Sequence, residues 1–321
     1  MKRIAWIDAA KALCILAVVW SHFVNGGAIE RLIYCFTGQF LFMLSGYLFK
    51  PEHALIPELK KKLRSIMCPY WFYLVLWLPF GLTVMKQPIT GFLMDATFWN
   101  GMVEWHTPLW FLPTLFSAWL ICALLWKFMP GKLPQYIFAL GCVALACLMP
   151  RRLAFLKTLG ITRSLACVPM FLFGYWCREW DLVAKLRKRS ALMWAVLILG
   201  LAIGMMLNPK ITIYRYRFGN YLYTLGGGLA ISLGLCALMS MRDAYSPRVS
   251  LLANGTVFMM ATHMPLALLY RQHVEPIILS MGIWPMTLIT GLIAAAIVAV
   301  QCVAMIQLHK YPKLAALFGL R

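Results

Sequence analysis

Asp8, Lys11 and His22 stand in one apolar stretch, IDAAKALCILAVVWSH, that runs from Ile7 to His22. At about 100° per residue on an α-helix, Asp8, Lys11, Ile15, Val18 and His22 share a face. A rise of about 1.5 Å per residue sets Lys11 and His22 about 16 Å apart along it. An imidazole in such a place can take a proton from an alcohol. The Lys11 ammonium can hold an anion or pair with Asp8. Ionisable groups at membrane depth are costly, which favours a functional stripe. The plainer reading is an Asp8–Lys11 ion pair at one membrane edge, with His22 in the opposite headgroup zone.

Three other stretches carry groups of the same kind. Lys60, Lys61, Lys62 and Arg64 precede Cys68-Pro69-Tyr70. Lys61 and Arg64 are three residues apart, share a helical face and suit the phosphates of a nucleotide. Anchoring on anionic lipid accounts for the same residues. Glu104, His106 and Trp110 open another apolar run. There Trp110 can stack on a sugar and His106 can bond its hydroxyls, or the aromatics form an interfacial belt. In Thr262-His263-Met264-Pro265, His263 would lie about 18 Å deep in a span. It either packs as a hydrogen-bonded core residue or faces the same cavity as His22. The chain has no GxSxG elbow, no HExxH and no Gly-rich phosphate loop.

The elements that must position these groups follow from composition. The chain has 321 residues, of which 62% are hydrophobic and 12% charged. Soluble domains are about a quarter charged. Apolar blocks of about 17–24 residues recur, long enough to cross a hydrocarbon core. This predicts an all-α, polytopic membrane protein, one domain over residues 1–321, with no room for a separate soluble domain. About ten transmembrane helices are expected, roughly over 5–25, 31–49, 66–86, 108–128, 135–150, 164–181, 190–207, 221–241, 251–271 and 285–308. An even number puts both termini on one side. Lys and Arg gather in the segments around residues 50–64 and 178–189, which makes that side the cytoplasm. Arg151, Arg152, Arg163, Arg215 and Arg217 leave the outer face unusually basic. Either the fifth and sixth spans are misassigned, or that face binds an anion such as a lipid-linked pyrophosphate.

The net charge of +20 lies in short loops between apolar runs. No recognition helix or aromatic RNA-binding motif goes with it, so nucleic acid is not an expected partner. Ten cysteines are scattered mostly through the apolar runs without a CxxC pair. Reduced thiols acting as small hydrophobes explain them, and neither a metal site nor a disulfide framework is expected. Lys2 and Arg3 before an apolar run imitate a signal peptide, but Asp8 and Lys11 interrupt the run, so an uncleaved first span is expected. The sequence carries no convincing internal repeat of the kind many transporters show.

Several stretches, taken in order, resemble the acyltransferase-3 family of integral membrane O-acyltransferases, in particular its bacterial sugar O-acetylase branch (the fucose 4-O-acetylase-like proteins). IDAAKALCILAVVWSH looks like the family's opening signature, Asp-x-x-Lys/Arg followed by His. FLFMLSGYLFK, KKLRSIMCPYWFY, PLWFLPTLF, VPMFLFGYWCRE and TVFMMATHMPLALL look like later blocks, so the match spans roughly residues 3–270. The resemblance implies a ten-helix enzyme of the bacterial inner membrane. It would carry an acetyl group from cytosolic acetyl-CoA to a hydroxyl of a cell-surface glycan or its lipid-linked precursor.

The family's essential His falls on His22 and its basic partner on Lys11, where many members have Arg. Its paired basic residues before the third span fall on Lys61 and Arg64. The expected mechanism has the donor phosphates near Lys61, Arg64 and Lys11, and the acceptor sugar near Trp110 and His106. His22 acts as general base or acyl relay, Asp8 balances the basic charge, and His263 is a candidate for the oxyanion. A transporter or flippase for a lipid-linked or anionic solute would explain the same buried charges without chemistry.

Overall fold

The structure is a computed structural model that describes residues 3–24, 26–96, 104–148, 160–209 and 211–320. Among these residues the regular elements are helices, and the one extended feature is a single bridge between Thr212 and Arg217. The first half of the chain forms α1 (Ala5–Ser21), α2 (Gly27–Tyr34), α3 (Thr37–Tyr47), α4 (Leu55–Lys62), α5 (Cys68–Leu76), α6 (Leu78–Thr83), α7 (Ile89–Ala96), α8 (Phe111–Phe128) and α9 (Lys132–Leu148). The second half forms α10 (Ile161–Glu179), α11 (Leu182–Arg187), α12 (Ala191–Met205), α13 (Tyr221–Ser240), α14 (Pro247–Asn254), α15 (Thr256–His273), α16 (Glu275–Ile278), α17 (Ile283–Leu308) and α18 (Pro312–Leu317).

Three described helices are long and apolar enough to cross a membrane: Thr107–Phe128, Tyr221–Ser240 and Ile283–Leu308. The pair α14 and α15, bent by 70° at Gly255, passes the same test as a unit. Large apolar side chains cover the outside of the bundle. Leu192, Val196, Leu199 and Ile203 on α12 are exposed, as are Leu288, Leu292, Val300 and Val303 on α17. Continuous apolar surface of this kind is unfavourable in water and matches lipid.

The expected second and third spans are not single helices. Residues 31–49 divide between α2 and α3. Residues 66–86 divide at Trp77, just before Pro79, whose ring nitrogen cannot donate to the Val75 carbonyl. Between α4 and α5 the chain makes a π-helical turn over Leu63–Met67. Pro69 follows, and its ring would collide with the Ser65 carbonyl of a regular α-helix, a clash that the wider turn avoids.

The centre of the bundle is the crossing of α3 and α10, where two glycines let backbones touch. A Cβ on Gly46 would lie 1.7 Å from the Phe171 carbonyl oxygen, and one on Gly174 would lie 1.8 Å from that of Met43. Around this contact α3 buries Phe40, Phe42, Met43 and Leu44. Its C-terminal carbonyls have no partner within the helix. Arg178 on α10 supplies one, donating to the carbonyls of Tyr47 and Phe49.

Candidate functional site

His22 caps α1, its N–H bonding the Val19 carbonyl at 3.2 Å. The His22 carbonyl accepts from the Arg271 guanidinium of α15 at 3.1 Å, so α15 fixes the end of α1 from outside. A little over two turns before Arg271 and on the same helix is His263, wholly buried. The two imidazoles lie side by side, with ring centroids 4.9 Å apart and planes inclined by 33°. His263 Nδ1 is 2.8 Å from the Met259 carbonyl. A carbonyl only accepts, so Nδ1 carries the proton and Nε2 keeps its lone pair. That Nε2 has no hydrogen-bond partner among the described residues. The pair thus combines a half-buried imidazole with a neutral, buried one that has an available basic nitrogen.

His22 opens on a cavity of about 90 Å³. Tyr34, Thr37, Thr107, Trp110 and Met260 contribute to its lining, together with the loop segment Ile211 to Tyr214. Asn208 holds that loop in place. Its side-chain amide donates to the Phe218 carbonyl and the Thr224 hydroxyl, and its Oδ1 accepts from the Asn220 N–H. Arg31 donates to the carbonyls of Met206 and Asn208 from below. Trp110 is backed by Arg163, whose guanidinium carbon lies 5.3 Å from the ring centroid and 6.0 Å from that of Tyr216. Arg163, expected at an outer loop, is therefore buried against the cavity wall.

Lys11 lines a second cavity of about 280 Å³ with Lys62, Ser65, Asn254 and Thr256. Leu41 and Phe111 line both cavities and form the wall between them. The Lys11–His22 stripe of α1 thus runs past two chambers separated by one apolar partition.

The remaining expected residues lie elsewhere. Asp8 is buried and bonds Arg3, with Ser250 Oγ at 3.4 Å. Arg3 also donates to the Ser250 carbonyl and to Asn254 Oδ1, both at 3.1 Å. Asp8 therefore fastens the start of α1 to α14. Lys61 is exposed and pairs with Glu58 at 2.9 Å. Arg64 is exposed as well, and it is Lys62 and Ser65 that reach the Lys11 cavity. Lys61 and Arg64 keep to one face, as their spacing of three implies, but that face is the exposed one, and the adjoining face carrying Lys62 and Ser65 meets the cavity. Lys62 also sits 5.9 Å above the ring of Trp119. Trp110 is in the His22 cavity, whereas the side chain of His106 lies outside the described residues, as do Arg151 and Arg152. Lys62, Ser65, Tyr34 and Arg271 were not legible in advance. Lys62 is one of three adjacent lysines, and nothing in the local pattern separates it from its neighbours.

The ten cysteines are all free thiols. Compared with known proteins, residues 4–305 match a family model described as an acyltransferase domain. Neither a curated protein nor a solved structure matches the chain.

Proposed function

Because the chain belongs to the family described by that acyltransferase domain, we propose that it is an acetyl-CoA-dependent O-acetyltransferase of the sugar O-acetylase branch. It spans a bacterial inner membrane about ten times with both termini in the cytoplasm, a reading supported by the positions of Lys and Arg. Acetyl-CoA enters from the cytosol and lays its arm past Lys62 and Lys11, with Lys61 and Arg64 at the exposed rim. The acceptor, a hydroxyl of a surface glycan or its lipid-linked precursor, occupies the His22 cavity beside Trp110.

The observation that carries this reading is the pair of chambers on one helix, basic around Lys11 and Lys62, and imidazole-bearing around His22. In the direct route His22 takes the proton of the hydroxyl as its oxygen attacks the thioester carbonyl. The C–S bond then breaks, and the sulfur leaves as a thiolate that is protonated to the thiol. In the relay route a His22 nitrogen attacks the thioester carbonyl and the C–S bond breaks, releasing the thiolate, which is protonated to the thiol. The sugar oxygen then attacks the acetyl carbon, the C–N bond to His22 breaks, and the hydroxyl proton passes to the freed imidazole nitrogen. His263, neutral and beside His22, supports the imidazolium formed in either route by accepting at Nε2.

The test is acetate transfer to glycan, read by mass spectrometry, in cells carrying His22→Ala at normal expression. Loss of the acetyl groups is expected, and full retention rejects the proposal. Purified protein that consumes no acetyl-CoA with any acceptor sugar would instead favour the transporter.

A further inference from the structure

A third cavity, of about 390 Å³, opens between the segment after α3 and the far end of α8. Its lining includes Lys50, His53, Glu58, Trp119, Trp126 and Lys127. We propose that this groove binds the 3′-phosphorylated nucleoside end of the acyl donor, an inference that rests on the acetyl-CoA reading above.

Continuity is the first argument. Trp119 lines both this groove and the Lys11–Lys62 cavity, just as Leu41 and Phe111 line both that cavity and the His22 chamber. Three chambers thus follow one another, with a single aromatic or apolar wall at each junction. The donor has the matching form: a bulky anionic nucleotide, a thin neutral arm and a reactive thioester at the far end. Placing the nucleotide in the largest chamber puts the arm beside Trp119 and the thioester toward the Leu41–Phe111 wall.

Charge is the second. Lys50 and Lys127 have no ion-pair partner among the described residues. The one carboxylate in the wall, Glu58, is engaged by Lys61 at 2.9 Å and by His53 Nδ1 at 3.2 Å. Two lysines therefore line the groove, Lys127 with its ammonium 5.4 Å from the neighbouring Phe128 ring, while the acid of the wall is already bound, a balance that suits a phosphate dianion. The first turn of α4, at Leu55 and Ile56, also lines the groove, and its N–H groups have no partner within the helix. Trp119 and Trp126 give the adenine ring an aromatic surface.

The test uses the purified full chain in phosphatidylcholine nanodiscs and two probes, coenzyme A and 3′-dephospho-coenzyme A. The unsubstituted protein is expected to bind coenzyme A about tenfold more tightly, a difference of about 1.4 kcal/mol. In Lys50→Ala and Lys127→Ala the preference should fall to within about twofold, and Lys127→Arg should keep most of it. An unchanged preference in both alanine variants overturns the assignment, as does its absence in the unsubstituted protein. Alanine variants that lose affinity for phosphatidylglycerol vesicles while keeping the nucleotide preference assign the lysines to a lipid headgroup instead, and overturn it too. If the unsubstituted protein binds no coenzyme A at all, the donor reading itself falls. Normal binding that ignores both lysines removes this subsite alone.

Discussion

His22, at the end of α1, meets His263 in the middle of α15, their ring centroids 4.9 Å apart, although 240 residues separate them in the chain. His22 faces a cavity and His263 is sealed behind it with its Nδ1 proton committed to the Met259 carbonyl. In the proposed reaction His22 is the reacting ring and His263 the supporting one.

Replacing His263 by Phe keeps an aromatic ring in the buried site and removes the Nε2 lone pair. We expect kcat for acetate transfer to drop about 100-fold, within the usual range for lost acid–base assistance. The KM for acetyl-CoA should stay within about twofold, because His263 is not in the Lys11 cavity. Steady-state kinetics at saturating acceptor decide this, and a wild-type kcat would reduce His263 to packing.

Lys62 is half-buried and lines the Lys11 cavity while its neighbour Lys61 is exposed and does not, which makes them a paired experiment. Lys62→Ala should raise the KM for acetyl-CoA about tenfold, or about 1.4 kcal/mol of binding. Lys61→Ala should change it by no more than about twofold, since an exposed pair with Glu58 contributes little. Equal effects at both positions would mean that the donor runs over the rim and not through the cavity.

The α3–α10 crossing predicts a sharp contrast among glycines. Gly46→Ala and Gly174→Ala each drive a methyl into a carbonyl oxygen, and we expect losses above about 3 kcal/mol, beyond ordinary overpacking. Gly226→Ala, where a Cβ meets nothing within 4 Å, should be tolerated. Monodisperse yield after detergent extraction reads the difference, and a well-behaved Gly46→Ala protein would contradict the crossing.

The inner rim should respond to acid. Burial alone raises the Glu58 carboxyl, but hydrogen bonds from Lys61 and His53, with the charges of Lys61 and Lys62, hold it below its ordinary 4.5. A depressed carboxyl stabilises the fold at pH values above 4.5, and that contribution is lost as pH falls through the lower folded value. Hydrogen-exchange protection over residues 53–61, taken relative to the intrinsic rate at each pH, should therefore be constant near neutral pH and fall below pH 4.5. Glu58→Gln should abolish the dependence, and its persistence in that variant would place the titrating group elsewhere.

The all-helical, membrane-capable character of the chain was legible in its long apolar runs, and part of the candidate site was legible because ionisable residues interrupt those runs in places that cost energy. Asp8, Lys11 and His22 stood out for that reason, and so did His263. Trp110 was legible as an aromatic at a helix entrance, and it does line the His22 cavity. The proposed donor path was less so. The spacing of Lys61 and Arg64 does put them on one face, but which face of the segment turns toward the Lys11 cavity is set by tertiary packing, and it is the one with Lys62 and Ser65. Breaks at Trp77 and Gly255 were also hidden within apolar runs. Gly255 sits against Met305, whose sulfur would lie 1.9 Å from a Cβ there, a close approach from a helix fifty residues on. Arg271 and Tyr34 gain their meaning only from tertiary proximity to His22.

The Leu41–Phe111 partition has a further consequence. A chain that admits a cytosolic substrate from one face and an outer one from the other risks becoming a leak for protons and salt. Both residues are nearly inaccessible to solvent and carry no polar side-chain atom. An ion crossing between the chambers would have to shed its hydration there without replacement, which costs many kcal/mol. An acetyl group, uncharged and small, meets no such barrier. In the proposed reaction the partition bars ions from passing between the chambers while leaving the path open to the acetyl group.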